Sequence, residues 1–237
     1  MPTVPIEVIT IDGPSGSGKS TAARLLAQRL GFAYLDTGAM YRAVTLKALQ
    51  DGLNLRDGAS LIELAKQMEL DLEPAKAGMR VLICGQDVSD QLRSVLVTEN
   101  AHFIASRRGV RAQMVKHQRK LARKLGSLVT EGRDQGTAVF PKAQVKFFLD
   151  ASPAQRAKRR YRQLQEAGES LSYQEVLDAL EARDAKDRSR DTGPLDVPEG
   201  AIIVDTTDMS IEEMVEHMAG EVARVRRDGQ QTEQNNE

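Results

Sequence analysis

The chain has 237 residues, enough for one sizeable hydrophobic core. Hydrophobic residues make up 41% and charged residues 28%, as in ordinary globular proteins, and a formal net charge of −1 gives no overall field that would favour nucleic acid or a membrane. No apolar run approaches the length of a membrane span, and the N-terminus lacks a signal-peptide pattern. The composition therefore predicts a cytoplasmic protein without nucleic-acid or membrane partners.

The cysteine and histidine content predicts neither a disulfide nor a metal cluster. Cys84 is the only cysteine, so it cannot form an internal disulfide, and we expect it to pack as a small buried apolar residue. His102, His117 and His217 lie too far apart in sequence for metal-ligand spacing.

Apolar strand patterns alternate with helical patterns, which predicts a parallel sheet covered by helices on both faces. The predicted strands of this sheet are residues 6–11, 127–130, 145–149 and 201–204. The predicted helices are residues 19–30, 39–50, 110–125, 154–166 and 173–188, with a last helix that begins at a capping box of Ser210 and Glu213.

Two segments depart from this alternation. Residues 53–108 contain a short predicted helix and two predicted strands, which indicates a small α/β lobe inserted into the main domain. Residues 227–237 are polar and are predicted to be disordered. The core domain would then comprise residues 1–52 and 109–226.

A glycine-rich loop after the first predicted strand has the pattern of a phosphate-binding P-loop. The loop consists of Gly13, Pro14, Ser15, Gly16, Ser17, Gly18, Lys19 and Ser20. Its glycines let backbone N–H groups surround an anion, and the helix that follows adds its positive dipole end. We expect Lys19 to reach the β- and γ-phosphates of ATP, and the Ser20 hydroxyl to bind Mg²⁺. A glycine-rich turn that binds nothing is disfavoured, because strand, loop, Lys-Ser and helix occur in order.

A P-loop alone is compatible with a kinase, an ATPase or a switch protein. The residues that would bind a phosphate acceptor must therefore be sought in the rest of the chain. Arg42 points towards the crevice from a helix that Asp36 or Thr37 can cap, although a plain capped helix with a solvated arginine has the same pattern. Loops after parallel strands line ligand crevices. In one such loop Arg133 can clamp a phosphate and Asp134 can accept from an amino group, unless the two form only a local ion pair.

Charged residues near the C-terminal half supply further candidates. Glu131 stands where a carboxylate can order water around Mg²⁺. One helical face carries charges at i, i+4 and i+7, which suits a nucleotide or an ordinary surface stripe: Arg183, Asp187 and Arg190. Within residues 153–190, three arginines share a face that suits a mobile lid or a solvated basic surface: Arg156, Arg159 and Arg160.

Five segments together resemble the bacterial cytidylate kinases, P-loop nucleoside monophosphate kinases, over nearly the whole chain. They are IDGPSGSGKST (residues 11–21), LDTGAMYR (35–42), GRDQGT (132–137), VKFFLDA (145–151) and RDAKDRSR (183–190). The first segment is shared by many P-loop proteins, whereas the combination is specific. The resemblance implies a three-layer α/β/α fold with a central parallel sheet, an inserted monophosphate-binding lobe and a short helical lid.

The same resemblance implies transfer of the γ-phosphoryl group of ATP to CMP or dCMP, with Mg²⁺ as cofactor. ATP would be bound by residues 13–20 and by Thr21, and the catalytic charges would be Lys19, Arg133, Arg159 and Arg160. The metal would be held by Ser20, with Glu131 acting through water. We expect the protein to be a monomer.

For CMP the resemblance implies separate contacts to phosphate, sugar and base. The phosphate would be held by Arg42 and Arg133, with Thr37 and Tyr41 nearby, and the sugar by Arg183 and Asp187. Arg111, Asp134 and Arg190 would read the cytosine. His102 stands where the family commonly has a small hydroxyl residue, so this base contact departs from the family pattern.

Two other functions fit parts of the sequence. A P-loop kinase for a small metabolite would share the donor loop, but it would need fewer contacts than the charged face and the inserted lobe provide. An ATP-binding regulator or RNA-binding adaptor would use the basic helix at residues 110–125, although near-neutral charge and few aromatic residues disfavour it.

Overall fold

The computed structural model describes residues 6–75 and 78–234. The helices and strands are β1 (Val8–Asp12), α1 (Lys19–Leu30), β2 (Ala33–Asp36), α2 (Thr37–Gln50), α3 (Gly58–Gln67), β3 (Leu70–Ala75), β4 (Gly78–Ile83), β5 (Gln86–Asp87), α4 (Val95–Ala105), α5 (Arg108–Leu125), β6 (Leu128–Gly132), β7 (Val145–Asp150), α6 (Pro153–Glu166), α7 (Tyr173–Arg188), β8 (Ile202–Asp205) and α8 (Ile211–Gln234). A 3₁₀ turn lies at Gln91–Arg93 and a π-helical turn at Gln135–Val139.

Five parallel strands form the central sheet in the order β2-β6-β1-β7-β8. The central strand β1 is buried because helices cover both faces of the sheet, and it carries two buried polar residues, Thr10 and Asp12, beside its apolar ones. Its register with β6 pairs Asp12 with Gly132, so the loops that follow these two strands leave the sheet side by side. The predicted α/β fold is confirmed, and this register brings the P-loop next to the predicted acceptor loop.

Two clusters of buried apolar residues hold the helices to the sheet. Helices α1 and α8 cover one cluster, which includes Ile11, Leu26 and Met218. Helices α2 and α5 contribute to the other, which continues into the inserted segment. At about 25 cal/mol per Å² of apolar surface, this burial supplies the main driving force for folding.

The inserted segment contains its own antiparallel sheet, in the order β3-β4-β5, together with α3 and α4. Three elements had not been predicted from the sequence: strand β2, the two-residue strand β5 and helix α4. Strand β2 is a four-residue, partly exposed edge strand, and α4 exposes Val95 and Leu96, so neither shows a clean hydrophobic period. The boundaries of the core, lobe and lid stay predictions.

Two sequence-based predictions are wrong. Cys84 is exposed rather than buried, because β4 ends one residue earlier and Cys84 enters the turn with a positive φ of 49°. The segment predicted to be disordered from residue 227 instead continues α8 as far as Gln234. Just before that segment Arg226 pairs with Glu7 at 2.8 Å, and helix extends readily from a docked turn. Residues 235–237 lie outside the described part.

Helices α6 and α7 pack against each other as a pair. Ala157, Val176 and Leu180 form a small separate cluster between them. Pro153 occupies the first turn of α6, and a capping box of Ser172 and Glu175 begins α7. Within residues 6–75 and 78–234, no helix has the length and apolar character to cross a membrane.

Candidate active site

The P-loop connects β1 to α1 through backbone conformations that only glycine adopts readily. Gly13 has φ of +148°, and a Cβ atom there would lie 2.0 Å from the Leu149 carbonyl oxygen. Gly18 has φ of +91° and precedes α1 without a side-chain cap. The first turn of α1 therefore keeps backbone N–H groups for a ligand, as an anion-binding loop requires.

Lys19 lies inside this loop and is only 5% exposed. Its Nζ donates to the Pro14 carbonyl oxygen at 2.5 Å and to Ser17 Oγ at 3.4 Å. Burial, followed by the positive charge of Arg133, lowers the pKa of Lys19 to about 7. An incoming phosphate would reverse this shift, because a negative charge favours the protonated amine.

Ser20 and Glu131 meet between the two strand-end loops. Ser20 Oγ donates to Glu131 Oε1 at 2.8 Å. Burial and the neighbouring Asp36 raise the pKa of Glu131. These hard oxygen ligands fit Mg²⁺, which keeps several waters and binds one or two protein oxygens together with substrate phosphates. Within the described residues, no group of three or more His, Cys, Asp or Glu side chains could hold a metal ion alone.

A cleft of about 310 Å³ extends from the P-loop towards the start of α8. It is lined by Gly16, Gly18, Lys19, Ser20, Thr21, Arg159, Arg160, Gln163, Met209, Ile211 and Met214. Sequence reasoning missed the three apolar residues Met209, Ile211 and Met214, although the Ser210 capping box marks their position. A larger cleft of about 460 Å³ opens between α5 and residues 139–144 and contacts none of the predicted site residues.

The three arginines that were grouped as a lid face divide into two sets. Arg159 and Arg160 line the cleft, and Arg159 donates to Thr206 Oγ1 at 3.2 Å. Arg156 is instead 3% exposed, pairs with Asp184 and donates to the Ser15 carbonyl oxygen at 3.0 Å. Asp184 Oδ1 in turn accepts from the Ser15 amide at 3.2 Å. Arg156 and Asp184 thus stabilise the P-loop through the Ser15 backbone, a role that sequence reasoning missed.

The predicted CMP-binding residue Arg133, in the loop after β6, forms an ion pair with Asp187 on α7, far away in sequence. Arg133 Nε donates to Asp187 Oδ2 at 2.8 Å, and the other Asp187 oxygen accepts from Arg190. Despite burial, which raises it, the pKa of Asp187 is held below its usual range by Arg133 and Arg190. The alternative of a local Arg133–Asp134 pair is not what the structure contains.

A second buried pair joins α5 to the loop after β6. Arg111 donates to Asp134, and both are 5% exposed or less. The guanidinium also lies over the Tyr41 ring, 5.5 Å from its centroid. Gly193, with φ of +61°, lies against this pair, and a Cβ atom there would be 2.2 Å from both Arg111 Nη2 and Asp134 Oδ2.

Thr37 and Arg42 complete the side of the crevice formed by α2. Asp36 caps this helix by accepting from the Ala39 amide at 2.8 Å, and its other oxygen accepts from Arg42 at 3.1 Å. Thr37 Oγ1 donates to the Glu131 carbonyl oxygen at 2.8 Å. The helix cap therefore also orients Arg42.

Two predicted residues form no hydrogen bond or ion pair with the other predicted CMP-binding residues of the described ranges. His102 is exposed on α4, where its Nδ1 lies 2.7 Å from the Glu99 carbonyl oxygen of the same helix. Arg183 makes no side-chain hydrogen bond or ion pair within the described ranges, but it belongs to the same cluster of charges. Desolvation and the positive charges of Arg133, Arg190 and Arg42 lower the pKa of Arg183 to about 10, although Asp187 raises it. Only the assignment of His102 therefore rests on the sequence alone.

Comparisons with known proteins show which family the chain resembles over most of its length. A family model described as "Cytidylate kinase" matches residues 9–224. The chain is 46% identical over 210 residues to a cytidylate kinase of Caldanaerobacter subterraneus subsp. tengcongensis, covering 89% of this chain and 92% of that protein. It is 45% identical over 208 residues to a cytidylate kinase of Pasteurella multocida, covering 88% of this chain and 91% of that protein.

Among solved structures, an uncharacterized protein from Eubacterium ventriosum superimposes with a TM-score of 0.52 at 12% identity. The match covers 92% of this chain and 98% of that one, and it supports the fold alone. The family model includes the P-loop and the acceptor loop, and each of the two relatives covers most of the chain. The chain therefore belongs to the cytidylate kinase family.

Proposed function

We propose that this protein transfers the γ-phosphoryl group of ATP to CMP and dCMP, giving ADP with CDP or dCDP. The observation that carries the proposal is the meeting of a P-loop with an arginine-rich loop at the carboxyl ends of neighbouring strands β1 and β6. Membership of the cytidylate kinase family supports CMP as the acceptor. Two negatively charged nucleotides could thus lie with their phosphates in line.

On the donor side, the amides of residues 13–20 would hold the ATP phosphates and Lys19 would reach the transferring group. The apolar residues Met209, Ile211 and Met214 suit a purine ring, while Arg159 and Arg160 lie across the cleft from the P-loop. Mg²⁺, held through Ser20 and through water on Glu131, would neutralise charge on the β- and γ-phosphates when bound. These charges cancel negative charge as it spreads over the transferring group.

On the acceptor side, Arg42 and Arg133 would hold the CMP phosphate, near Thr37 and Tyr41. Arg183 and Asp187 would bind the sugar, and the base would contact Arg111, Asp134 and Arg190, with His102 in the remaining position. Arg42, Arg133 and Arg190 already face carboxylates, so CMP would exchange existing ion pairs for its own. Such preorganised charge reduces the free energy needed to order the site.

The chemistry requires no general base, because a phosphate oxygen of CMP is itself the nucleophile. The protein's contribution is alignment and charge, together with exclusion of water that would compete as acceptor. Closure of α6 and α7 over the cleft would exclude that water. The proposal includes a monomeric protein in the cytoplasm, where ATP is available.

An acceptor panel tests the proposal. ADP formation would be measured with CMP, dCMP, UMP, AMP and shikimate, each with and without Mg²⁺. Lys47→Ala would serve as the control, because Lys47 is a half-buried lysine that pairs with Asp51 outside the proposed site. Strong Mg²⁺-dependent turnover with CMP and dCMP is expected. Preferred turnover of shikimate would favour a small-metabolite kinase, and no turnover with any acceptor would favour a non-enzymatic ATP-binding protein.

A further inference from the structure

Asp12 is a buried carboxylate between the donor and acceptor loops that the proposed chemistry does not use. It ends β1, immediately before Gly13, and is 0% exposed. Its partner in the β6 register is Gly132, the residue before Arg133. A side chain at this position can therefore join the P-loop strand to the loop that carries the acceptor arginine.

Both Asp12 oxygens accept hydrogen bonds from consecutive backbone amides of the acceptor loop. Oδ1 accepts from the Gln135 amide at 2.8 Å and Oδ2 from the Gly136 amide at 2.7 Å. Within the described residues these are the hydrogen bonds that the Asp12 side chain makes. Two parallel bonds to one carboxylate fix both the position and the orientation of the loop, as a bidentate contact does.

The rest of the loop has little room to adjust around this contact. The Gln135 side chain accepts from Thr130 Oγ1 at 2.9 Å. A Cβ atom on Gly136 would lie 2.8 Å from Pro198 Cγ and 3.0 Å from Thr10 Oγ1. A shift at Asp12 would therefore move the backbone of Arg133 and Asp134 rather than being absorbed locally.

A buried carboxylate is an unfavourable way to hold a fold together. Burial raises the pKa of Asp12 to about 7, even though the Gly136 and Gln135 amides and Lys19 lower it. Because the ordinary pKa of this group is 3.8, its ionisation lowers the free energy of unfolding progressively as pH rises from about 4, and the full loss is present above about 7. A neutral polar residue at this position would give at least as large a free energy of unfolding. Stability alone therefore does not explain why a carboxylate stands here.

We propose that Asp12 is a positioning residue that sets the distance between the acceptor loop and the P-loop, and so aligns the two phosphates for transfer. This inference rests on the proposed function. Asp12 touches neither nucleotide in this role and acts through the backbone of Gln135 and Gly136. A misplacement of about 1 Å in an enzyme active site can lower turnover by roughly a hundredfold.

Asp12→Asn tests this role, with Thr10→Val as a matched control. Asn keeps the shape but presents an amide N–H₂ to one backbone N–H. Thr10 is equally buried and lies near Gly136, and its hydroxyl has no hydrogen-bond partner in the part of the chain that the structure describes. In Asp12→Asn we expect kcat/KM for CMP to fall by about tenfold to a hundredfold, while the Kd for ATP stays within about threefold. In Thr10→Val, kcat/KM for CMP and the Kd for ATP should each stay within about threefold of the wild-type values.

Backbone hydrogen exchange in the nucleotide-free protein gives a readout independent of activity. The Gln135 and Gly136 amides should exchange at least about tenfold faster in Asp12→Asn, with little change in the P-loop. Unchanged exchange, retained turnover, or equal losses of ATP affinity and turnover would each overturn the inference. If wild type fails with CMP, the proposed function fails while the exchange measurement still decides the role of Asp12. If Asp12→Asn does not fold, Asp12→Glu takes its place, and we expect it to lower kcat/KM for CMP while leaving the Kd for ATP nearly unchanged.

Discussion

The donor and acceptor halves of the site are built in different ways. The phosphate-binding part of the proposed donor half is one continuous loop, which offers backbone amides and a single lysine to an anion. The proposed acceptor half is assembled from α2, α5, the loop after β6 and α7, and four of its arginines are paired with carboxylates: Arg42, Arg111, Arg133 and Arg190. A local motif can carry general phosphate binding, whereas recognition of one particular nucleotide requires side chains that only the folded chain brings together.

The largest expected effect separates the two halves through Lys19. Lys19→Ala should lower kcat by about a hundredfold to a thousandfold, because it removes a buried charge from the transferring group. The affinity for CMP, measured by calorimetry, should stay within about threefold. Lys47→Ala should behave as wild type. An equal loss of CMP affinity would mean that the halves are not separate.

Arg133→Ala should affect mainly the acceptor half. We expect kcat/KM for CMP to fall by about thirtyfold or more, equivalent to at least about 2 kcal/mol for a charged hydrogen bond. Steady-state kinetics with varied CMP would give this value, and ATP titration would serve as the control. If ATP affinity fell as strongly as CMP efficiency, Arg133 would belong to the donor half.

Asp187→Ala probes discrimination within the acceptor half. If its carboxylate reads the 2′-hydroxyl, CMP should lose about tenfold more kcat/KM than dCMP, because only CMP offers that hydrogen bond. The measurement is the ratio of kcat/KM for the two acceptors in variant and wild type. Equal losses would assign Asp187 to orienting Arg133 and Arg190 instead.

The smallest expected effect is a proton taken up on the donor side. Free Lys19 has a pKa lowered to about 7 by burial, and ATP phosphates should raise it again. At pH 8 ATP binding should therefore take up a fraction of a proton, at most about one, and affinity should fall as pH rises from 7 to 9. Calorimetry in buffers of different ionisation enthalpy measures this uptake. Lys19→Met should reduce it, and unchanged uptake would point to another group.

The difference between the halves also explains what the sequence could predict. The order of strand, glycine loop and helix places the donor site without further information. The pairing of Arg133 with Asp187 could not be derived, because α7 meets the loop after β6 only through the tertiary fold. The role of Arg156 was missed for a related reason: helical spacing groups it with Arg159, but the position of α6 under the P-loop buries it against Asp184.

The prediction of secondary structure from the sequence failed where the local hydrophobic patterns were weak. Strand β2 is short and lies at an edge, and α4 carries exposed apolar residues. The end of α8 was misread because polar composition was taken as disorder, although helix can extend from a docked turn.

The contact at Gly193 has a consequence for anyone who would redesign the acceptor. The backbone of the loop after α7 packs against the Arg111–Asp134 pair at Gly193 so closely that it forms part of the wall of the proposed base pocket. Exchanging the side chains that touch the base would leave this backbone wall unchanged. A pocket for a larger base would have to begin with a different loop after α7, and the new side chains would follow from it.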